Sequence, residues 1–441
     1  MRRAAAAWVL VGALACALAL EGAPLERASL EGLMARAERA RGLGFGSPVS
    51  ARVVAPRELR GLLARELEQA LEPGELEGAE WSARSIGLLP IDTDLRRALL
   101  DFGGVGLGGF YSALRGRLYV LGPRRGLLGR LRRAPVEPRP PDEVTLLHEL
   151  AHVLQDRHSS LLDVTLGVRE NDDLIFAVGA FLEGEALWTG FRDQELRAGA
   201  APPAPEAYAA EMSPAWADAE YPDTPRILRE PMVLQYPLGY ALAAALAARG
   251  GTPALDAALR DPPLSSEQLL HPARYLEGGR RDPPALLELP ERAPQGCQTL
   301  YRNSLGELGL RIWLAERRGG ASERARPADG WAGDRLVAWR CGERAAFAWL
   351  VRFDAPAEAR EFAVVARDAL ATLEAPLAGT PELQVLDADV WLTAGLPSAL
   401  RDELRAGVRA RAYPDLASYL AEHPEVLTRA RELRGTLRNR L

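Results

Sequence analysis

Lysine is absent from the 441 residues: the 54 basic side chains are all arginine, set against 60 acidic ones. The formal charge of -6 leaves no basic excess to track phosphates, which argues against a nucleic-acid partner. An arginine-only chain rich in Ala, Leu and Gly also reads as codon bias. Arg124, Arg125, Arg130, Arg132 and Arg133 are therefore expected in a solvated loop rather than in a substrate-steering patch. Histidine is scarce at five residues and cysteine at three, so a site built on either type has few positions to choose from. Long apolar runs are also missing beyond the first twenty residues. The best later stretch, 240–248, is shorter than the about 20 residues that cross a bilayer and reads as a buried helix. What is plentiful is hydrophobic side chain, 48% of the chain, enough for a large core and more than one domain.

Met1-Arg2-Arg3 followed by the uncharged apolar run 4–20 has the form of an export signal, assigned to 1–20. Small-x-small sites at Ala13-Leu14-Ala15 and Ala17-Leu18-Ala19 predict its removal. Retention as an anchor and lipidation at Cys16 are the alternatives, although Ala13 stands where a lipobox has leucine. The mature protein is thus expected in the periplasm, at the cell surface or outside the cell. There Cys297 and Cys341 make an even pair, and a disulfide is expected, with two separate buried thiols as the alternative.

Helical spacing marks 30–41 and 56–71. Glycines and aromatic or β-branched residues between 103 and 121 predict a β-hairpin, whose edge could receive an extended peptide. After a loop rich in Arg, Gly and Pro over 122–141, a helix is expected to start near Pro141 with acids in its first turn. A second helix over 173–191 follows cap residues Asn171-Asp172-Asp173, and a third over 240–248 stops at Gly250-Gly251. From about 298 the texture becomes that of a small α+β unit: helix 305–314, paired strands 335–340 and 345–353, helix 355–373 and strand 383–392. The expected organisation is a signal at 1–20, a metallopeptidase-like domain at 21–295 and a C-terminal α+β domain at 296–441.

The chemistry concentrates in Leu147-His148-Glu149-Leu150-Ala151-His152-Val153, an HExxH motif. With 3.6 residues per turn, His148 and His152 share one helix face and can grip one metal, while Glu149 projects beside them. That carboxylate suits a general base toward a water whose pKa a zinc lowers to about 7. Chance would place such a motif in roughly one sequence in two hundred of this composition. A catalytic zinc takes three protein ligands. Glu183 is the first candidate for the third, because its helix is otherwise apolar and an unpaired carboxylate there is costly; Glu185 is the second candidate on that helix. His158 competes through the metzincin histidine spacing, but Gln155 replaces the glycine that permits the necessary sharp turn, and neither Met212 nor Met232 makes a convincing Met-turn. Asp156 is a candidate to orient a ligand imidazole, with a solvated helix-end acid as the equal alternative. Tyr236, Tyr240 and His271 are candidates to stabilise an oxyanion, each with an ordinary structural role as the alternative.

The run from His148 to His158, followed by Leu182-Glu183-Gly184-Glu185-Ala186, resembles a family of secreted or surface-attached bacterial and archaeal zinc metallopeptidases of gluzincin type. Further likeness lies in Gly109-Phe110-Tyr111, Gly116-Arg117-Leu118-Tyr119-Val120, Ser266-Glu267-Gln268-Leu269-Leu270-His271-Pro272 and Gly330-Trp331-Ala332-Gly333-Asp334-Arg335. The resemblance implies His148, His152 and Glu183 as ligands and Glu149 as base, and says little about substrate. The spacer from His152 to Glu183 is longer than in thermolysin-like enzymes, and Leu187 stands where those enzymes have an aspartate.

Together these readings predict an α+β, mainly helical protein: an exported Zn2+ metallopeptidase acting on a peptide or protein substrate, with no nucleic-acid partner. Membrane association is expected only through the signal or Cys16. The alternatives are a secreted binding or scaffold protein with a structural or inactive zinc site, and a metallohydrolase of non-peptide amides or esters.

Overall fold

A computed structural model describes residues 27–103, 109–121, 143–276, 282–319, 322 and 325–438. The expected signal, Cys16 and the arginine-rich loop lie outside the described residues. In the first half, helices α1 (Arg27–Arg41), α2 (Pro56–Ala70), α3 (Glu75–Ser85) and α4 (Leu95–Gly103) accompany strands β1 (Ala51–Val54), β2 (Gly109–Ser112) and β3 (Arg117–Leu121). The expected hairpin is β2–β3, paired antiparallel from Gly109↔Val120 to Ser112↔Arg117, and β1 joins β3 in parallel, which leaves β2 at an edge.

The motif helix is α5 (Glu143–His158), followed by α6 (Leu161–Gly167) and α7 (Asp172–Ala198). Asn171 caps α7 by accepting the Leu174 N–H at 3.0 Å, as its residue type predicts. After α8 (Pro205–Glu211) and α9 (Pro214–Glu220) comes α10 (Arg226–Arg260). The expected helix 240–248 is therefore one stretch of a longer element: non-helical angles at Gly250 and Gly251 kink it without ending it. Both α7 and α10 are long and apolar enough to cross a membrane by composition, yet most of each apolar window is buried against protein, 78% and 56%. They cross at glycines. A Cβ on Gly184 would meet the Gly239 carbonyl carbon at 1.8 Å, and one on Gly239 would meet the Ala180 oxygen at 1.7 Å.

Short helices α11 (Ser266–Leu270) and α12 (Ala273–Leu276) and strand β4 (Ala285–Glu288) lead to the second half: β5 (Gln298–Asn303), α13 (Gly306–Arg318), β6 (Trp331–Cys341), β7 (Arg344–Phe353), α14 (Pro356–Ala371), β8 (Glu382–Leu386) and β9 (Asp389–Ala394). The strands form one antiparallel sheet in the order β5-β6-β7-β9-β8. Strand periodicity sorts its side chains. Phe347, Trp349 and Val351 join Trp313 of α13 and Phe362 of α14 in one cluster, whereas Ala346, Ala348 and Leu350 join Leu287 and Leu404 in another. The expected single strand over 383–392 is a hairpin instead. Asp387 turns the chain with φ of 55°, a left-handed conformation that aspartate tolerates better than most residues. Cys297 and Cys341 are disulfide-bonded across adjoining strand ends, with Cα atoms 4.3 Å apart.

Packing continues across the expected division at 295/296. Ala79, Ala83 and Ile86 from α3 and its end lie in the same cluster as the sheet, and β10 (Arg409–Ala412), which follows α15 (Ser398–Ala406), pairs with β4. After α16 (Leu416–Glu422), the last helix α17 (Glu425–Arg438) returns to α6, where Arg429 donates to the Gly167 carbonyl. The architecture is α+β, dominated by helices, with several small sheets.

Candidate metal centre

Three donor atoms meet where α5 faces α7. His148 Nε2 lies 2.9 Å from Glu183 Oε2, His152 Nε2 lies 3.0 Å from His148 Nε2 and 3.5 Å from the same carboxylate oxygen. All three residues are buried. Two imidazole nitrogens facing one another can share only one proton, so the grouping favours a cation at its centre. Zinc bonds of about 2.0–2.1 Å in tetrahedral array hold ligand atoms about 3.3 Å apart, close to the separations found. The donor set fits a zinc with one position left for water.

Burial pulls the His148 pKa below its ordinary value. Burial also lowers His152, but the Glu183 carboxylate outweighs it and lifts that imidazole to about 9. For Glu183 burial raises the pKa and the two histidines overcome it, bringing the carboxyl down to about 2. Glu149 is pushed up to about 8 by burial, against the pull of His152 and of the Tyr111 N–H, which donates to its Oε2 at 2.7 Å.

The sequence around Glu183 reads Glu-Gly-Glu because three successive helix positions face three different neighbours. Glu183 faces the histidines, Gly184 admits the backbone of α10, and Glu185 pairs with the buried Arg41 of α1. Glu185 therefore leaves the ligand position to Glu183. Gln155 links the two acids' surroundings: its Nε2 donates to the Leu182 carbonyl at 2.8 Å and to Glu185, which turns its Oε1 toward His152 Nδ1 at 2.7 Å.

The remaining expected residues fall in different places. His158 is exposed at the end of α5 and its Nε2 meets the Gly44 carbonyl at 2.8 Å, away from the donor cluster. Asp156, expected to orient a ligand imidazole, instead accepts the Tyr111 hydroxyl at 2.6 Å and two bonds from Arg434; the orienting contact belongs to Gln155. Tyr236 stands beside His148, with ring centroids 6.3 Å apart. Tyr240 gives its hydroxyl to the Pro203 carbonyl at 2.8 Å, and His271 faces Glu307 at 3.1 Å, so neither serves the donor cluster. Sequence reasoning missed Arg41, the Tyr111 N–H and Arg434, because each acts through a contact distant in sequence, and Gln155, whose orientation toward nearby His152 is fixed by Leu182 and Glu185 on α7.

From His152 and Glu183 a cleft runs along α7, walled by residues such as Phe176 and Leu182 of α7, Ile227 and Met232 of α10, and Leu308 and Ile312 of α13. The C-terminal half thus supplies one wall of the cleft. No curated protein and no solved structure matches the chain. Residues 297–403, which carry that wall and its sheet, match a family model described as a domain of unknown function (DUF8575).

Proposed function

We propose that the chain is an exported zinc metallopeptidase of gluzincin type, with His148, His152 and Glu183 as ligands and Glu149 as general base. The observation that carries this reading is the convergence of two imidazole Nε2 atoms and one carboxylate oxygen, pairwise 2.9–3.5 Å apart, at the end of an open apolar cleft. A zinc held there would activate water near neutral pH and polarise the substrate carbonyl. The metal's charge would also return Glu149 to its ionised form against the burial that raises its pKa; with its Oε2 fixed by the Tyr111 N–H, it then takes the proton from the attacking water and later passes it to the leaving amine. Tyr236, whose ring lies 6.3 Å from that of His148, is our candidate to donate to the carbonyl oxygen as negative charge develops. The disulfide is in keeping with an oxidising compartment.

Metal content of the purified mature protein, measured by mass spectrometry beside peptide hydrolysis, tests the reading. Near one zinc per chain is expected in wild type and in His158→Ala, with loss in His148→Ala and Glu183→Ala. Glu149→Gln should keep zinc and lose turnover. A zinc-loaded protein that cleaves small amides or esters but no peptide would move the assignment to a non-peptide metallohydrolase, and zinc without any turnover would move it to a binding protein.

A further inference from the structure

Along α7 from Asp172 to Leu187, only Phe176 and Gly179 escape burial. Both line the cleft with Glu183, and the three recur at steps of three and four residues, which places them on one face of the helix. Glycine is disfavoured inside a helix relative to alanine. At Gly184 and Gly239 the close crossing of α7 and α10 demands it, but a Cβ on Gly179 would meet nothing within 4 Å. The missing side chain at Gly179 therefore leaves room in the cleft instead of admitting a neighbouring backbone.

A second wall comes from α13. Leu305, Leu308, Gly309 and Ile312 recur at helical spacing and line the same cleft. Backbone bonds clasp the start of this helix to the start of α7: the Asp173 N–H donates to the Ser304 carbonyl and the Ser304 N–H to the Glu170 carbonyl, each at 3.2 Å. Asp334 of β6 accepts the Gly306 N–H at 2.9 Å, and Ser266 Oγ accepts the Leu308 N–H at 3.1 Å. The wall is thus fixed to the helix that supplies Glu183.

We propose that Gly179 is the specificity-determining residue of an apolar side pocket beside the donor cluster, and that the C-terminal half belongs to the substrate-binding unit as the wall that closes this pocket. Gly179 precedes Glu183 by four positions, a rise of about 6 Å at 1.5 Å per residue. An extended chain advances about 3.3 Å per residue, so one residue step and its side chain span that distance. The group received is therefore the side chain flanking the bond to be cut. It is large and apolar, because hydrocarbon from Phe176, Leu308 and Ile312 surrounds the space that Gly179 leaves open. This inference rests on the metallopeptidase reading for the reaction, while the pocket itself is tested without turnover.

The probes are hydroxamates, which hold zinc through the same two oxygens whatever their acyl group. Binding to the zinc-loaded protein is read by calorimetry. Wild type should bind 3-phenylpropionohydroxamate about tenfold or more tightly than acetohydroxamate. Gly179→Leu fills the pocket and should lose that preference with zinc content unchanged. Leu308→Ala enlarges it and should raise affinity for decanohydroxamate relative to hexanohydroxamate. Peptides carrying Ala, Leu or Phe beside the cleaved bond should rank in the same order by kcat/KM. Equal affinity of wild type for the short and bulky hydroxamates, a comparison that needs no variant, overturns the pocket even where peptides are cut. A preference that survives Gly179→Leu overturns the role of Gly179, and an unchanged chain-length ratio in Leu308→Ala overturns the role of the C-terminal wall. A preference lost in Gly179→Leu with no peptide cleaved supports the pocket and counts against the peptidase reading.

Discussion

Gln155 Oε1 lies 2.7 Å from His152 Nδ1, and this contact decides which nitrogen of the imidazole faces His148 and Glu183. Because Gln155 Nε2 is committed to the Leu182 carbonyl and Glu185, its oxygen must be the atom offered to the ring. His152 then carries its proton on Nδ1 and presents the Nε2 lone pair to a metal. Replacing Gln155 by leucine should weaken zinc binding about 10- to 100-fold, as outer contacts to metal-bound histidines do. Competition with a chelator measures it; unchanged zinc affinity in Gln155→Leu would refute the role.

A second chain of contacts runs from the last helix to Glu149, the proposed base. Arg434 bonds both Asp156 oxygens and the Ala113 carbonyl, Asp156 holds the Tyr111 hydroxyl, and the Tyr111 backbone holds Glu149. Arg434→Ala should lower kcat by about tenfold or more, since misplacing a general base is costly, while zinc stoichiometry stays the same. Wild-type kcat in this variant would show that the hairpin keeps Glu149 in place unaided.

Gly184 lies where α7 and α10 touch backbone to backbone. A methyl group there has only main chain to displace, so Gly184→Ala should destabilise the protein by about 3 kcal/mol or more and lower Tm accordingly. Gly32, on the exposed face of α1, has nothing within 4 Å of an added Cβ, and Gly32→Ala should stabilise by up to about 1 kcal/mol. Comparable Tm values for the two variants would contradict the close crossing.

The Asp172 carboxyl is pushed up to about 8 by burial, against the pull of Asn303 and Tyr301, whereas in an unfolded chain it titrates near about 4. The folded state therefore holds this proton more tightly. The stability it contributes is complete below about pH 4 and is lost as pH rises toward about 8. A carboxamide at this position cannot ionise, so Asp172→Asn should gain stability relative to wild type between about pH 5 and about pH 8.5. Denaturant unfolding at both pH values checks this, and parallel pH profiles for the two proteins would speak against a raised carboxyl.

Much of the donor cluster was legible because it is local. His148, Glu149 and His152 need only the helix period to be brought together, and α5 is a helix over the whole motif. Glu183 was legible for a weaker reason: a carboxylate in an apolar helix needs a partner. The hairpin ahead of α5 and the Cys297–Cys341 bond were readable from composition and compartment. The second strand of the β8–β9 hairpin was not, since Leu386-Asp387-Ala388-Asp389 carries no Gly or Pro and only Asp387 turns the chain.

Sequence alone determined the residue types that can hold a zinc, their spacing on one helix, and the α+β character, because all three follow from short-range periodicity and side-chain chemistry. Tertiary structure decided the rest. It turned His158 toward Gly44 and brought Glu183 to the histidines, gave Gln155 rather than Asp156 to the imidazole, and carried Arg41 and Arg434 from the two ends of the described chain to support the centre. It also set α13 against α7, so that the C-terminal half walls the cleft. These contacts join residues up to 321 positions apart. Such pairings depend on how buried apolar faces pack together, and that packing is a property of the whole core rather than of any segment.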